Sequence, residues 1–140
     1  MILLDTNVLS ELIRPEPAER VTRWLDSLDA REVATTAITA GELFHGVARL
    51  PGGRRKEQLS ESIRGLLEED LDGRVEAFDA AAARHYADLL SDREASGRPM
   101  SAADAQIAAI CRSRSATLAT RNTNDFDGTG IELLDPWNLS

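Results

Sequence analysis

Four acidic residues of this chain, Asp5, Glu42, Asp104 and Asp125, stand where an apolar run stops or a helical pattern begins. Carboxylates brought together by a fold repel one another, and a hard cation such as Mg²⁺ or Mn²⁺ relieves that repulsion by accepting oxygen ligands. A cation held in this way lowers the pKa of a water and stabilises charge on a phosphoryl oxygen, which is the chemistry of phosphodiester hydrolysis. Thr6, Asn7, Thr120 and Asn122 lie beside these acids and offer hydroxyls and amides that can orient a water or a phosphate without adding repulsion.

Each acid also has a plainer explanation. Asp5 follows the apolar run Met1-Ile2-Leu3-Leu4 and precedes a helical pattern at Val8, Leu9, Leu12 and Ile13, so it can cap that helix. Thr39 and Glu42 have the spacing of a capping box, and so do Ser101 and Asp104. Capping and metal binding are compatible, because a helix N-terminus favours an ionised carboxylate. Capping by chance, however, predicts no convergence of the four acids on one edge of a sheet.

Other chemistries find little support. His45 and His85 are the only histidines, and neither a Gly-x-Ser-x-Gly elbow nor a Gly-rich loop ending in Lys-Ser or Lys-Thr occurs. A lone helical histidine is ordinarily structural, and Cys111, the single cysteine, falls in an apolar helical pattern that predicts a buried, inert thiol. Trp24 and Trp137 are expected to cover core edges, and three Phe, two Trp and one Tyr are too few for a base-stacking platform.

The elements that must position the acids follow from periodicity. Apolar stripes predict helices after Asp5, around Val21 to Leu28, from Ile38 to Leu50, around Leu59 to Leu67, from about Ala80 to Ala95, and from Ser101 to about Arg114. Pro51-Gly52-Gly53 turns the third of these into a helical hairpin. Short strands are predicted at Met1–Leu4, Val33–Ala34, Val75–Phe78, Thr117–Ala119 and Ile131–Leu134. Strands alternating with helices imply an α/β fold, a three-layer α/β/α sandwich around a central five-stranded parallel sheet. With 140 residues and no long linker, residues 1–140 are expected to form one domain. No apolar stretch is long enough to cross a membrane and no basic, then apolar, leader opens the chain, so a cytoplasmic location is expected.

A net charge of −8 excludes a general nucleic-acid-binding surface and would attract a basic protein partner. Any contact with nucleic acid must therefore be local, and Arg14, Arg49, Arg54, Arg55 and Lys56 are candidates for a basic rim.

Leu4-Asp5-Thr6-Asn7, Glu42 to Gly46, Asp104 to Ala109, and Thr120-Arg121-Asn122 through Asp125-Phe126 together resemble the successive motifs of PIN-domain proteins, in particular VapC-type toxins of the FitB-like branch. The resemblance runs from Met1 to Asp135-Pro136-Trp137. It implies a Mg²⁺- or Mn²⁺-dependent endoribonuclease of a toxin–antitoxin system, with Asp5, Glu42 and Asp104 as acidic site residues. It also implies a homodimer, inhibition by a small VapB-like antitoxin that inserts a segment into the acidic cleft, and a hetero-oligomer that the antitoxin ties to operator DNA. One departure stands out: the family often carries a fourth acid directly after Thr-Arg, where this chain has Asn122, with Asp125 three residues later. Either residue can complete the site. The same departure, with the acidic charge, keeps open a catalytically weak PIN-like binding module that works through its protein partner. A small phosphatase is a further alternative, disfavoured because Asp5-Thr6-Asn7 lacks the Asp-x-Asp pattern of a phosphoenzyme.

Overall fold

A strand buried on both faces needs apolar residues at consecutive positions, since successive side chains point to opposite sides of the sheet. A computed structural model of the chain describes residues 1–139 and places such a strand, β1 (Ile2–Leu4), at the centre of a parallel sheet. The other strands are β2 (Val33–Thr36), β3 (Val75–Glu76), β4 (Thr117–Ala119) and β5 (Glu132–Leu134), in the spatial order β3-β2-β1-β4-β5. The helices are α1 (Thr6–Leu12), α2 (Glu19–Asp26), α3 (Ala37–Ala48), α4 (Arg54–Arg64), α5 (Ala80–Ala95) and α6 (Ala102–Ser113). A π-helical turn, Gly65–Asp70, prolongs α4 and buries Leu66 and Leu67.

The alternation divides the core in two. Leu4, Val33 and Ala119 face Val8, Leu9, Val21, Leu43 and Ile63 from α1 to α4. Leu3, Ala34 and Leu118 face Leu89, Ile107, Ile110 and Phe126 on the side of α5 and α6. Five parallel strands between two helical layers are the expected three-layer sandwich.

The register carries the functional consequence. Leu4 pairs with Thr35 on one side and with Ala119 on the other, so Asp5, Thr36 and Thr120 leave the sheet at one level. The connection from β1 leads toward β2, whereas β4 lies on the far side of β1, so the strand order reverses between β1 and β4. Ligands of open α/β sheets bind outside the carboxyl ends of strands at such a switch point.

Two expectations need correction. The strand predicted over Val75–Phe78 stops at Glu76, because Arg114 rather than a neighbouring strand takes the Ala77 carbonyl, at 2.8 Å. Phe78 then turns edge-on to Tyr86, with ring centroids 5.6 Å apart. The capping box at Thr39 and Glu42 is also absent: the N-cap of α3 is Thr36, whose hydroxyl accepts the Thr39 amide at 3.1 Å. Thr39 is itself helical and buried, and Glu42 lies in the second turn, beyond the orphan amides that a cap satisfies. The Ser101 cap does form, its hydroxyl accepting the Asp104 amide at 3.1 Å.

Thr36 is fully buried and holds the start of α3. Thr36→Ala is expected to lower the unfolding free energy in urea by about 0.5–2 kcal/mol, the usual loss for a deleted N-cap hydroxyl, whereas Thr22→Ala, at a half-buried helical position where the hydroxyl donates to the Glu19 carbonyl of its own helix, changes it little.

Candidate active site

Asp5 is the first residue beyond β1 and is 6% exposed. Its backbone amide continues the sheet by donating to the Ala119 carbonyl at 2.9 Å. One carboxylate oxygen accepts the Thr6 amide at 2.8 Å, which makes Asp5 the N-cap of α1. The other accepts the Thr120 hydroxyl at 2.7 Å, across the switch point from β4. Capping and a place at the carboxyl edge therefore coincide in one side chain.

Thr120, fully buried, is a junction. Its oxygen also accepts from the Asn7 side-chain amide at 3.3 Å and from the Asn122 backbone amide at 3.0 Å. Asn7 completes the link by accepting the Arg121 backbone amide at 3.2 Å, and the Thr6 hydroxyl meets that of Thr39 at 3.3 Å. The uncharged neighbours singled out in the sequence thus lock Asp5 and the loop after β4 in place. Asn122 takes part through its backbone, and its side chain is exposed.

The carboxyls sense one another. Burial is the main force that raises the Asp5 pKa above its ordinary value; the Thr120 hydroxyl and Thr6 amide oppose the rise, and the charge of Asp125 adds to it. Asp104, in the first turn of α6, is raised first by burial and then by Asp5 and Asp125, against the Ser101 hydroxyl. Glu42, at the exposed rim, is raised by partial desolvation, by Asp5 and by Asp104, with the Thr6 hydroxyl opposing. Four acids from β1, α3, α6 and the turn Thr123–Phe126 accordingly share one electrostatic site. Among the described residues, no three His, Cys, Asp or Glu side chains are drawn together tightly enough to chelate an ion. That spacing agrees with mutual repulsion among carboxylates of like charge.

Arg93, on α5, had no signal in the sequence beyond its place in a helix. It is 8% exposed and donates to the carbonyls of Asp125 at 3.2 Å and Asp127 at 2.6 Å, so a buried guanidinium fixes the backbone that carries the fourth acid. Its partners are carbonyls far away in sequence, which no local spacing reveals.

The other readings divide. Cys111 is buried, and desolvation pushes its thiol up to about 12, as an inert core thiol requires. His45 is exposed, and the buried Nδ1 of His85 has no hydrogen-bond partner among the described residues. The basic rim is partly engaged elsewhere: Arg14 pairs with Glu11 at 3.2 Å, and Lys56 donates to the Leu50 carbonyl at 3.2 Å beyond the end of α3. Arg14 and Arg55 do line a groove of about 1270 Å³ that also reaches Thr6 and Glu42 and is walled by Ile13, Leu43, Val47 and Leu59.

Carboxylates gathered at the switch point of an all-parallel sheet define a class, the doubly wound α/β proteins whose chemistry sits in an acidic cleft. The PIN domain family matches residues 2–131, and the chain belongs to that family. It is 43% identical over 138 residues to Toxin FitB of Neisseria gonorrhoeae, covering 99% of both chains. It is 39% identical over 137 residues to VapC ribonuclease Y4jK of Sinorhizobium fredii, covering 98% of both. A structure of FitAB bound to an IR36 DNA fragment contains a chain that superimposes with a TM-score of 0.91 at 42% identity, covering 100% of this chain and 98% of that one.

The raised carboxyls make a prediction about stability. Between the ordinary values of 3.8 for Asp and 4.5 for Glu and the higher folded ones, the native state binds more protons than the unfolded state, so their contribution to stability falls as pH rises through that window. In EDTA, Asp5→Asn is expected to be more stable than the wild type at neutral pH, with the advantage shrinking on acidification and vanishing below 3.8. Urea titrations across pH measure this, and an advantage that does not vary with pH contradicts it.

Proposed function

We propose that the chain acts as one catalytic domain, the toxin of a type II toxin–antitoxin pair, and that it is a Mg²⁺- or Mn²⁺-dependent endoribonuclease. The observation that carries this reading is the place of Asp5 at the switch point, on the carboxyl edge of the sheet where α3 and α6 also begin; burial first and neighbouring carboxyl charge second raise the pKa values of Asp5, Glu42 and Asp104 there. An all-oxygen set of anions in tension fits a hard divalent cation and suits no soft metal. Asp5 and Asp104 would hold the ion, with Glu42 and Asp125 completing or flanking the set. When bound, such an ion supplies positive charge against the scissile phosphate and makes a water more acidic.

The remaining work falls to side chains. Thr120 and the Thr6 amide hold Asp5 ionised and oriented, and Ser101 does the same for the start of α6. Glu42, at the rim with its proton affinity raised, is placed to take a proton from the attacking water. Asp125 is favoured over Asn122 as the fourth corner, because its charge is felt by Asp5 and Asp104 while Asn122 is engaged through its backbone.

The likeness to Toxin FitB and to a VapC ribonuclease supports RNA as the substrate. The likeness to the FitAB complex on a DNA fragment supports an antitoxin partner and a complex that binds DNA; a homodimeric toxin tied to operator DNA by the antitoxin belongs to the same proposal. The groove beside α1 and α3 offers that partner an apolar wall ending at Glu42, where a basic side chain of the antitoxin would meet the acids. Among the described residues no helix is long and apolar enough to cross a membrane, which is compatible with a cytoplasmic toxin.

Cleavage of single-stranded RNA in Mg²⁺ or Mn²⁺ is expected to fall by at least about a hundredfold in Asp5→Asn and in Asp104→Asn, with circular dichroism unchanged. Wild-type rates in both variants would sink the reading. Asn122, where the family often carries an acid, and the net charge of −8 favour a second reading, a catalytically weak binding module that acts through its partner. An absence of binding heat in calorimetry at millimolar Mn²⁺ would select it.

A further inference from the structure

An acidic chain that cleaves RNA needs a local cation near its carboxylates, and Arg121 follows Thr120, the residue whose hydroxyl holds Asp5. The Arg121 backbone leaves the sheet one residue past the level that Thr120 shares with Asp5, on the neighbouring strand, at the usual spacing of about 4.8 Å. Its amide is pinned to Asn7, at 3.2 Å. The side chain is exposed, and among the described residues no carboxylate pairs with it. Instead the guanidinium lies over the Trp137 ring, 4.7 Å from its centroid.

The indole is itself fixed. The Trp137 amide donates to the Asp135 carboxylate at 2.9 Å, Arg20 donates to its carbonyl at 2.8 Å, and the residue packs against the core cluster that α1 to α4 form on one face of the sheet. A cation stacked on an aromatic face loses little side-chain freedom when it binds, and its planar N–H edge stays free for phosphate oxygens. By contrast, Arg14 is tied to Glu11 and Lys56 to backbone carbonyls.

We propose that Arg121, stacked on Trp137, forms a phosphate-binding subsite for RNA on the β4–β5 side of the acidic site, holding the strand that flanks the scissile bond. The proposal rests on the ribonuclease reading for the identity of the ligand. It gives Trp137 a positioning role, acting through Arg121 and leaving the reacting atoms untouched.

Fluorescence anisotropy of a labelled single-stranded oligoribonucleotide in EDTA, where no cleavage occurs, tests it across a salt series. Arg121→Met is expected to weaken binding by roughly fivefold to tenfold and to reduce the slope of log affinity against log salt by about 0.7, the loss of one phosphate contact on a single strand. Arg121→Lys keeps the slope with weaker binding, Trp137→Phe stays near wild type, and Trp137→Leu weakens binding with the slope retained. An Arg121→Met chain that binds with wild-type affinity and slope overturns the subsite, and so does unchanged RNA binding combined with lost affinity for an antitoxin segment. Wild-type RNA binding that depends on Arg121, in a chain that never cleaves in Mn²⁺, supports the subsite while overturning the nuclease reading.

Discussion

The carboxylate of Asp5 is almost wholly removed from water and held by two donors, the Thr6 amide from its own helix and the Thr120 hydroxyl from the far side of the switch point. Burying an anion is costly unless hydrogen bonds replace its hydration. Here two bonds offset part of that cost, and they also join β1, α1 and β4 at one level. The other site residues are placed relative to that point. Asn7, Asn122 and Arg121 hang from the same hydroxyl and amide network, while α3 and α6 begin at caps that set Glu42 and Asp104 at the same edge.

Burying carboxyls, and to a lesser degree gathering their like charges, weakens the fold in return for a site. Asp5, Glu42 and Asp104 all hold their protons more tightly than free carboxyls, so ionisation at neutral pH opposes folding. The fold opposes that strain with apolar layers on both faces of the sheet and with Arg93, which fixes the Asp125 turn through carbonyls and brings no carboxylate of its own. A divalent cation would remove the strain and put the same carboxylates to use.

The parallel sheet was legible because three- and four-residue apolar strands are bounded by sharp polar breaks, as at Leu4 to Asp5 and Ala119 to Thr120. The helix from Ala80 to Ala95 was legible because its Ala-rich pattern ends at Gly97 and Pro99, and Asp79 proves to be its N-cap. Glu42 was harder: the Thr39 spacing imitates a capping box, and only the fold shows that Thr36, at the end of β2, is the cap. The short β3 also escaped, since a side chain from α6 ends the ladder at Ala77. Of the site, the identities of the acids were legible from junctions and motif order, whereas the burial of Asp5, the clamp of Arg93 and the stacking of Arg121 depend on residues more than a dozen positions apart.

Melting curves of the wild type and Asp5→Asn, each with and without millimolar Mn²⁺, test most directly whether these carboxylates are a cation site under tension. The account predicts that Asp5→Asn melts higher in EDTA, that Mn²⁺ raises the wild type while leaving the variant nearly unmoved, and that the gap between the two closes or reverses. A wild-type melting temperature indifferent to Mn²⁺, with the variant no more stable in EDTA, would contradict it.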